Sequence, residues 1–279
     1  MREFKGQKGF LTFAIGPSYL RMAYAQALSI KLAMPKANYA VIIDKDTEKY
    51  INRRHRQLFD TTIVLKTEKR SNSMEYECYA FDLTPWKETI KLDADVYFPE
   101  SIDHWWTNLR LRDVCFTKNV YTFTDKEITS RWHRQLFDSN LLPNVYTALW
   151  YFRYTDTAFD LFQKAKYITK NWDWYAKRFL INNRSSELRT DEVFALAVAI
   201  VGEDLCTLPG KLVPSFTHMK EQLNELNKDT PWPDQLYTTG DQSIDVGFYP
   251  QYRPFHYYRK EWLTDARIRT LETNYARQF

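Results

Sequence analysis

Asp93 and Asp95 stand one residue apart at the end of the apolar run IKLDADVYF, residues 90–98. Two carboxylates this close repel each other unless something positive lies between them. Alternate side chains of a strand share a face, so both can point at one site. A divalent cation with hard oxygen ligands, Mn²⁺ or Mg²⁺, would hold the pair together and bridge to substrate phosphates. The plainer reading of an Asp-x-Asp pair is a solvated turn. Here, however, the pair ends an apolar strand instead of sitting in a polar loop.

Such a site needs elements that bring distant residues to it. GFLTFAIG (9–16), YAVIID (39–44), TTIVLK (61–66) and IKLDADVYF read as buried strands. The first strand ends in the turn Gly16-Pro17-Ser18, and YLRMAYAQALSIKLAMP after it has a helical composition. TEKYINRRHRQLF reads as a basic helix. Strands alternating with helices imply an α/β fold with a mixed, mainly parallel central sheet flanked by helices. Ligands in such sheets sit at the carboxyl ends of the strands, where Gly16, Asp44 and the Asp93/Asp95 pair would gather. Further along, DVCFTKNVYTF and VYTALWYFRY read as strands and TAFDLFQKAKYITKNW as a helix. TDEVFALAVAIVG (190–202) is a compact apolar helix with Thr190 as N-cap and Asp191 and Glu192 in its first turn. The stretch from Pro214 to Phe279, rich in Pro, Tyr, Trp and charge, reads as ordered loops with a short terminal helix wrapped over the rest. No linker is evident, so a single domain over 1–279 is expected: a nucleotide-binding half (8–100), an acceptor and sugar half (101–213) and a closing extension (214–279).

Composition narrows the classes. The 279 residues carry 44% hydrophobic content, enough for a sizeable core, but only 7 Gly, and neither a P-loop nor a G-x-G-x-x-G run occurs. A net charge of +4 is compatible with an anionic partner without demanding one. Cys78, Cys115 and Cys206 are widely spaced and odd in number, which fits neither a disulfide framework nor a zinc site and favours a reducing compartment. No apolar stretch is long enough for a signal peptide or a membrane span, so a cytoplasmic protein is expected.

One internal echo stands out: RRHRQLFD (53–60) recurs as RWHRQLFD (131–138). The flanks differ, so a duplicated domain is not implied. The two segments read either as amphipathic helices with solvated basic faces or as contacts to an anionic polymer.

The segment LTPWKETIKLDADVYF resembles glycogenin-type glycosyltransferases. There a Leu-Thr, an aromatic and a Lys precede a short strand running into an acidic triplet of Leu/Met-Asp-Ala-Asp form; here these are Leu83, Thr84, Trp86, Lys87 and Asp93-Ala94-Asp95. The resemblance implies the GT-A (Rossmann-like) fold, with Mn²⁺ or Mg²⁺ on the two Asp holding the diphosphate of a nucleotide sugar, UDP-linked. The family's His, which completes the metal site, and its Lys on the diphosphate correspond to His256 and Lys260 in PFHYYRKEW, before Trp262; the family's Gly and Pro are missing there. His256 reads otherwise as a stacked surface ring. His218 in PSFTHMKEQ is the rival third ligand, and His104 suits a structural role. The resemblance also places Ile15, Gly16 and Tyr19 near the base and ribose, with Pro17 a departure, and Asp44 on the nucleoside unless it is a turn residue. Lys87 and Ala94 would join the donor site. Asn144 fits the family's strand beside the donor sugar, although Val145-Tyr146 replaces the usual Ser-Gly. Asp191 and Glu192 match an acidic pair that orients the sugar or faces the anomeric carbon; equally, they are ordinary charge at a helix N-terminus.

The expected activity is transfer of a sugar, with a retaining outcome implied by the resemblance, to an acceptor hydroxyl. A cytosolic glycan or lipopolysaccharide precursor, a protein Tyr and DNA are all open as acceptors. The basic charge and the repeated HRQLFD segments favour a phage-type enzyme that glycosylates hydroxymethylated bases in duplex DNA, with Trp105, Trp106 and Trp132 as stacking candidates. Two other classes compete: a non-catalytic module with the GT-A shape, and a nucleotidyltransferase, for which AIGPSYLRM supplies one Gly where a Gly-rich loop is wanted.

Overall fold

The apolar runs of the first hundred residues pair as strands of one sheet in the computed structural model. It describes residues 3–66, 73–129, 134–181, 187–210, 213–224, 236–238 and 242–278. Strands β1 (Gly6–Phe13), β2 (Tyr39–Ile43), β3 (Thr61–Val64) and β4 (Trp86–Leu92) run parallel in the spatial order β3-β2-β1-β4. VYTALWYFRY supplies β8 (Tyr146–Arg153), antiparallel to β4 on one side and to β6 (Val114–Thr117) on the other. The result is the mixed, mainly parallel six-stranded sheet that the sequence pattern implies, with helices on its faces. β2 is buried along its whole length, as expected of a strand covered on both sides.

The connection after β1 shows how local chemistry sets a helix start. Gly16 takes φ 99°, where an L side chain would be strained, and Pro17 follows at the first helical turn of α1 (Pro17–Ala33). Gly9 serves a different need. A Cβ there would lie 2.6 Å from the ring of Trp86, which crosses β1 and donates from Nε1 to Phe10 O. The expected basic helix over 47–59 is two short ones, α2 (Lys45–Glu48) and α3 (Arg53–Leu58). It breaks because Asn52 turns its side chain back to accept from Arg54 N and His55 N.

Two expectations change. IKLDADVYF is not one strand: β4 stops at Leu92, Asp93–Asp95 form a turn, and β5 (Val96–Tyr97) enters a second sheet. DVCFTKNVYTF likewise divides between β6 in the first sheet and β7 (Asn119–Tyr121) in the second. The stretch after Pro214 also holds more than loops. It contributes β9 (Ser215–His218) and β13 (Phe255–His256), so the second sheet runs β5-β13-β9-β7. A separate antiparallel sheet joins β10 (Leu236–Thr238), β11 (Ile244–Val246) and β12 (Tyr249–Gln251).

Further along the chain follow helices α4 (Gln135–Ser139), α5 (Asp156–Lys170), α6 (Trp172–Phe179), α7 (Thr190–Val201) and the terminal α8 (Asp265–Gln278). One continuous core joins Phe10, Val41 and Ile90 of the first sheet to Val96, Phe216 and Phe255 of the second. A second cluster on the other face packs Trp150, Phe162 and Phe194 together. Trp105 and Trp106, expected as stacking candidates for a flipped base, are buried core residues, and Trp106 packs edge-on against Phe10. Trp132 lies outside the described residues.

Candidate active site

The Asp93–Asp95 turn is pinned from three directions. Asp93 N donates to Ala148 O of β8 at 2.8 Å. Gln26, buried in α1, donates from Nε2 to both Asp93 O and Val96 O at 2.7 Å. Tyr257 N, just past β13, donates to Asp95 O at 3.1 Å. The carboxylates therefore project from a fixed backbone at the junction of the two sheets, not from alternate positions of a strand.

His256 comes to them because β13 pairs with β5, placing His256 opposite Val96. Its Nε2 lies 3.2 Å from Asp95 Oδ1, and its buried Nδ1 has no hydrogen-bond partner among the described residues. Ligand atoms of Asp93, Asp95 and His256 all lie within 4.8 Å of one another. Burial disfavours charge on Asp95, but His256 and Lys260 outweigh it and hold its carboxyl below the usual range. His256 is the mirror case: burial opposes its protonation, and Asp95 overrides that and raises its pKa. His218 sits beside His256 across the β9–β13 pair, the two rings stacked with centroids 4.8 Å apart. It braces the imidazole and lies outside the three-residue cluster.

The positive charge nearest the pair is one that the opening motif already contained. Lys91, two residues before Asp93 and wholly buried, donates from Nζ to Asp93 Oδ1 at 2.7 Å, to Glu77 Oε2 and to Thr147 O at 3.2 Å. Burial works against the ammonium, yet the two carboxylates prevail and raise its pKa. Glu77 itself is pushed up to about 7, by burial first and by Asp93 next, against the pull of Lys91.

A second carboxylate stands across the cleft at the start of α7. Asp191 Oδ1 accepts from Thr147 N at 2.8 Å and Thr147 Oγ1 at 2.7 Å, and its Oδ2 lies 3.0 Å from Arg134 Nη2. Burial would raise its pKa; Arg134 and Thr147 more than offset that and hold it low. Glu192, beside it in the cleft lining, is almost wholly buried. Burial raises it to about 7, with Arg189 only partly countering. Lys220 also faces the cleft, its pKa lowered chiefly by burial.

These groups line one cleft of about 1320 Å³. Of the expected residues it gathers Ile15, Tyr19, Asp93, Ala94, Asp95, Asp191, Glu192, His218, His256 and Lys260, with Lys260 Nζ 4.0 Å above the Tyr19 ring. Four others are placed elsewhere. Gly16 lies just behind Ile15, its N donating to Thr47 Oγ1 at 2.6 Å. Asp44 caps α2, accepting from Thr47 N at 2.8 Å. Asn144 accepts from Arg134 Nη1 at 3.1 Å and so acts on the cleft through that arginine. Lys87 is exposed at the far end of β4 from Asp93, roughly 20 Å along a strand at about 3.3 Å per residue.

Sequence reasoning passed over Lys91, Glu77, Thr147, Arg134 and Lys220. Lys91 carried a signal, being a charge set between the apolar Ile90 and Leu92 and two residues from Asp93. Arg134 belongs to the second HRQLFD copy. It is buried against Asp191, whereas the matching Arg56 in α3 is exposed, so the echo does not mark two equivalent surfaces. Glu77 and Thr147 had no local signal.

No family model and no curated protein matches the chain. Among solved structures it is similar to WbbM, a bifunctional glycosyltransferase, with TM-score 0.46 and 10% identity over 75% of this chain and 40% of that one. It is similar also to the galactosyltransferase LgtC in complex with donor and acceptor sugar analogues (TM-score 0.47, 11% identity, 71% and 72% of the two chains). A third is mouse xyloside xylosyltransferase 1 (TM-score 0.47, 10% identity, 73% and 85%). The chain thus spans less than half the length of WbbM and most of the other two.

Proposed function

We propose that the chain is a metal-dependent glycosyltransferase that moves a sugar from a UDP-linked donor to an acceptor hydroxyl. One observation carries the reading: Asp93, Asp95 and His256 converge within 4.8 Å at the floor of a 1320 Å³ cleft. The cleft is larger than the several hundred Å³ typical of a single small-ligand site, leaving room for donor and acceptor together. The three residues fit a divalent cation. Two carboxylate oxygens and one imidazole nitrogen are a donor set that Mn²⁺ or Mg²⁺ accepts, and Asp95 already orients the His256 ring. A cation held there supplies Lewis-acid stabilisation of the departing diphosphate.

The chain's own residues do the rest. Lys260 and Lys220 offer positive charge to the same leaving group from the cleft wall. Tyr19 and Ile15, at the carboxyl end of β1, are the surface on which the base and ribose rest. Asp191, held rigid by Thr147 and Arg134, accepts a hydrogen bond from a sugar hydroxyl or faces the anomeric carbon. Lys91 and Glu77 keep Asp93 in place from behind. In a retaining transfer the departing phosphate oxygen takes the acceptor's proton, which needs no separate general base.

A hydroxymethylated base in duplex DNA draws support from the exposed basic helix α3, whereas Arg134 of the second copy is committed to Asp191. Binding to duplex DNA that weakens steeply with salt would support that acceptor, and salt-insensitive binding would remove it. The activity itself is tested by incubating the protein with a panel of UDP-sugars and Mn²⁺ and measuring UDP release with and without a chelator. Chelator-sensitive release is expected, and no release from any donor would leave only a binding module.

A further inference from the structure

The outer face of α6 carries aromatic rings of which only Tyr175 packs partly against the core. Trp172, Ala176 and Leu180 are buried and anchor the helix, while Trp174 is 59% exposed and Phe179 43%. Trp174, Tyr175 and Phe179 touch one another with ring centroids 5.0–5.7 Å apart, and Tyr167 of α5 joins them at 6.3 Å from Tyr175. The apolar surface continues past the helix. Ile181, 66% exposed, is tied to Asn140 by hydrogen bonds in both directions, Ile181 N to Asn140 Oδ1 at 2.7 Å and Asn140 Nδ2 to Ile181 O at 3.2 Å. Leu141, next to Asn140, is 92% exposed. Contiguous apolar surface of this kind marks a place where something docks.

The charges around the rings indicate what. The stretch 167–181 holds three cations, Lys170, Lys177 and Arg178, against one acid, Asp173. All three cations are exposed, and none has a carboxylate partner among the described residues. Trp, Tyr and Phe rings interleaved with Lys and Arg on a half-exposed helix match an anionic bilayer surface. The rings enter the headgroup and acyl boundary, and the cations meet lipid phosphates. No helix of the described residues is long and apolar enough to cross a membrane, so the contact would be one of surface attachment.

Position gives the contact a use. Asn140 closes α4, whose residues Gln135, Leu136 and Phe137 line the cleft. We propose that the Trp174–Phe179 face docks on a bilayer rich in anionic phospholipid and holds the cleft mouth beside it, so that the acceptor hydroxyl belongs to a lipid-borne molecule. The use as an acceptor device rests on the transferase reading; the docking does not.

The test is partitioning of the full chain onto vesicles of phosphatidylcholine, with and without phosphatidylglycerol, read by co-sedimentation and by tryptophan fluorescence. Binding should require the anionic lipid and weaken with salt. The pair Lys177→Glu/Arg178→Glu should weaken it roughly tenfold or more, given about 1 kcal/mol for each cation near such a surface. Trp174→Ala/Phe179→Ala should weaken it to a similar degree. Thermal unfolding of both variants should match the parent, since neither pair packs in the core. Absence of binding to anionic vesicles, or binding that survives both pairs of substitutions, overturns the proposal. UDP release in solution, measured on the same samples, reports separately on the transferase reading.

Discussion

Lys91 Nζ lies 2.7 Å from Asp93 Oδ1, with the ammonium sealed from solvent behind the carboxylate that it neutralises. Lys91 lies near the end of β4 and Asp93 just past it, so the site's first carboxylate arrives with its counter-charge already in place. Glu77 completes the buried triplet from the helical turn before β4.

Removing that ammonium leaves Glu77 and Asp93 facing each other without a cation. Lys91→Met should destabilise the fold by about 3–5 kcal/mol, the usual result of breaking a buried pair from one side. The double variant Lys91→Met/Glu77→Gln should recover part of the loss, because one of the stranded charges is gone. Denaturant unfolding of the single and double variants measures the coupling; equal stability of parent and Lys91→Met would show that the triplet contributes nothing.

Glu192 makes stability depend on pH. Its folded pKa, about 7, is raised above the ordinary 4.5 because its side chain is buried. The folded state therefore binds the proton more tightly than the unfolded chain does. The stabilising contribution is fully present below about pH 4.5 and is lost as pH rises to about 7. Glu192→Gln, neutral throughout, should be more stable than the parent at pH 8 by up to a few kcal/mol and show no such gain at pH 4. Thermal unfolding at the two pH values decides it.

Two glycines should respond differently to alanine. Gly9→Ala drives a methyl into the buried Trp86 ring, an overpacking that typically costs about 1–3 kcal/mol. Gly16→Ala meets nothing within 4 Å, but its φ 99° and ψ 158° lie in a region essentially reserved for glycine, a backbone strain of about 1–3 kcal/mol. Gly9→Ala should also disturb the Trp86 Nε1 hydrogen bond to Phe10 O, visible as a shift in tryptophan fluorescence.

Much of this arrangement was legible in the sequence because it is encoded locally. The parallel strands up to β4 follow from short apolar runs with helices between them, and Gly16-Pro17 announces a helix start. The Asp93/Asp95 pair and His256 were each named from short motifs, and the structure brings them together. What stayed hidden depends on distant pairing. IKLDADVYF reads as one strand because its apolar pattern runs unbroken through the Asp pair, whereas the turn is enforced by Gln26, Ala148 and Tyr257, far away in sequence. The resemblance placed Lys87 at the donor site; strand geometry sends it to the opposite end of the sheet and brings Lys91 to the carboxylate instead. The HRQLFD echo was identical in letters but not in surroundings, so one arginine is solvated and the other sits beneath Asp191.

The most direct test of the account is UDP release from a UDP-sugar in the presence of Mn²⁺, comparing the parent chain with Asp95→Asn. The substitution keeps the shape of the turn and its Tyr257 backbone bond but removes a ligand charge from the cluster with Asp93 and His256. Release by the parent and a loss of at least about a hundredfold in the variant are predicted, with thermal unfolding of the variant cooperative and Mn²⁺ no longer raising its Tm. Full activity in Asp95→Asn would contradict the metal assignment, and with it the central claim.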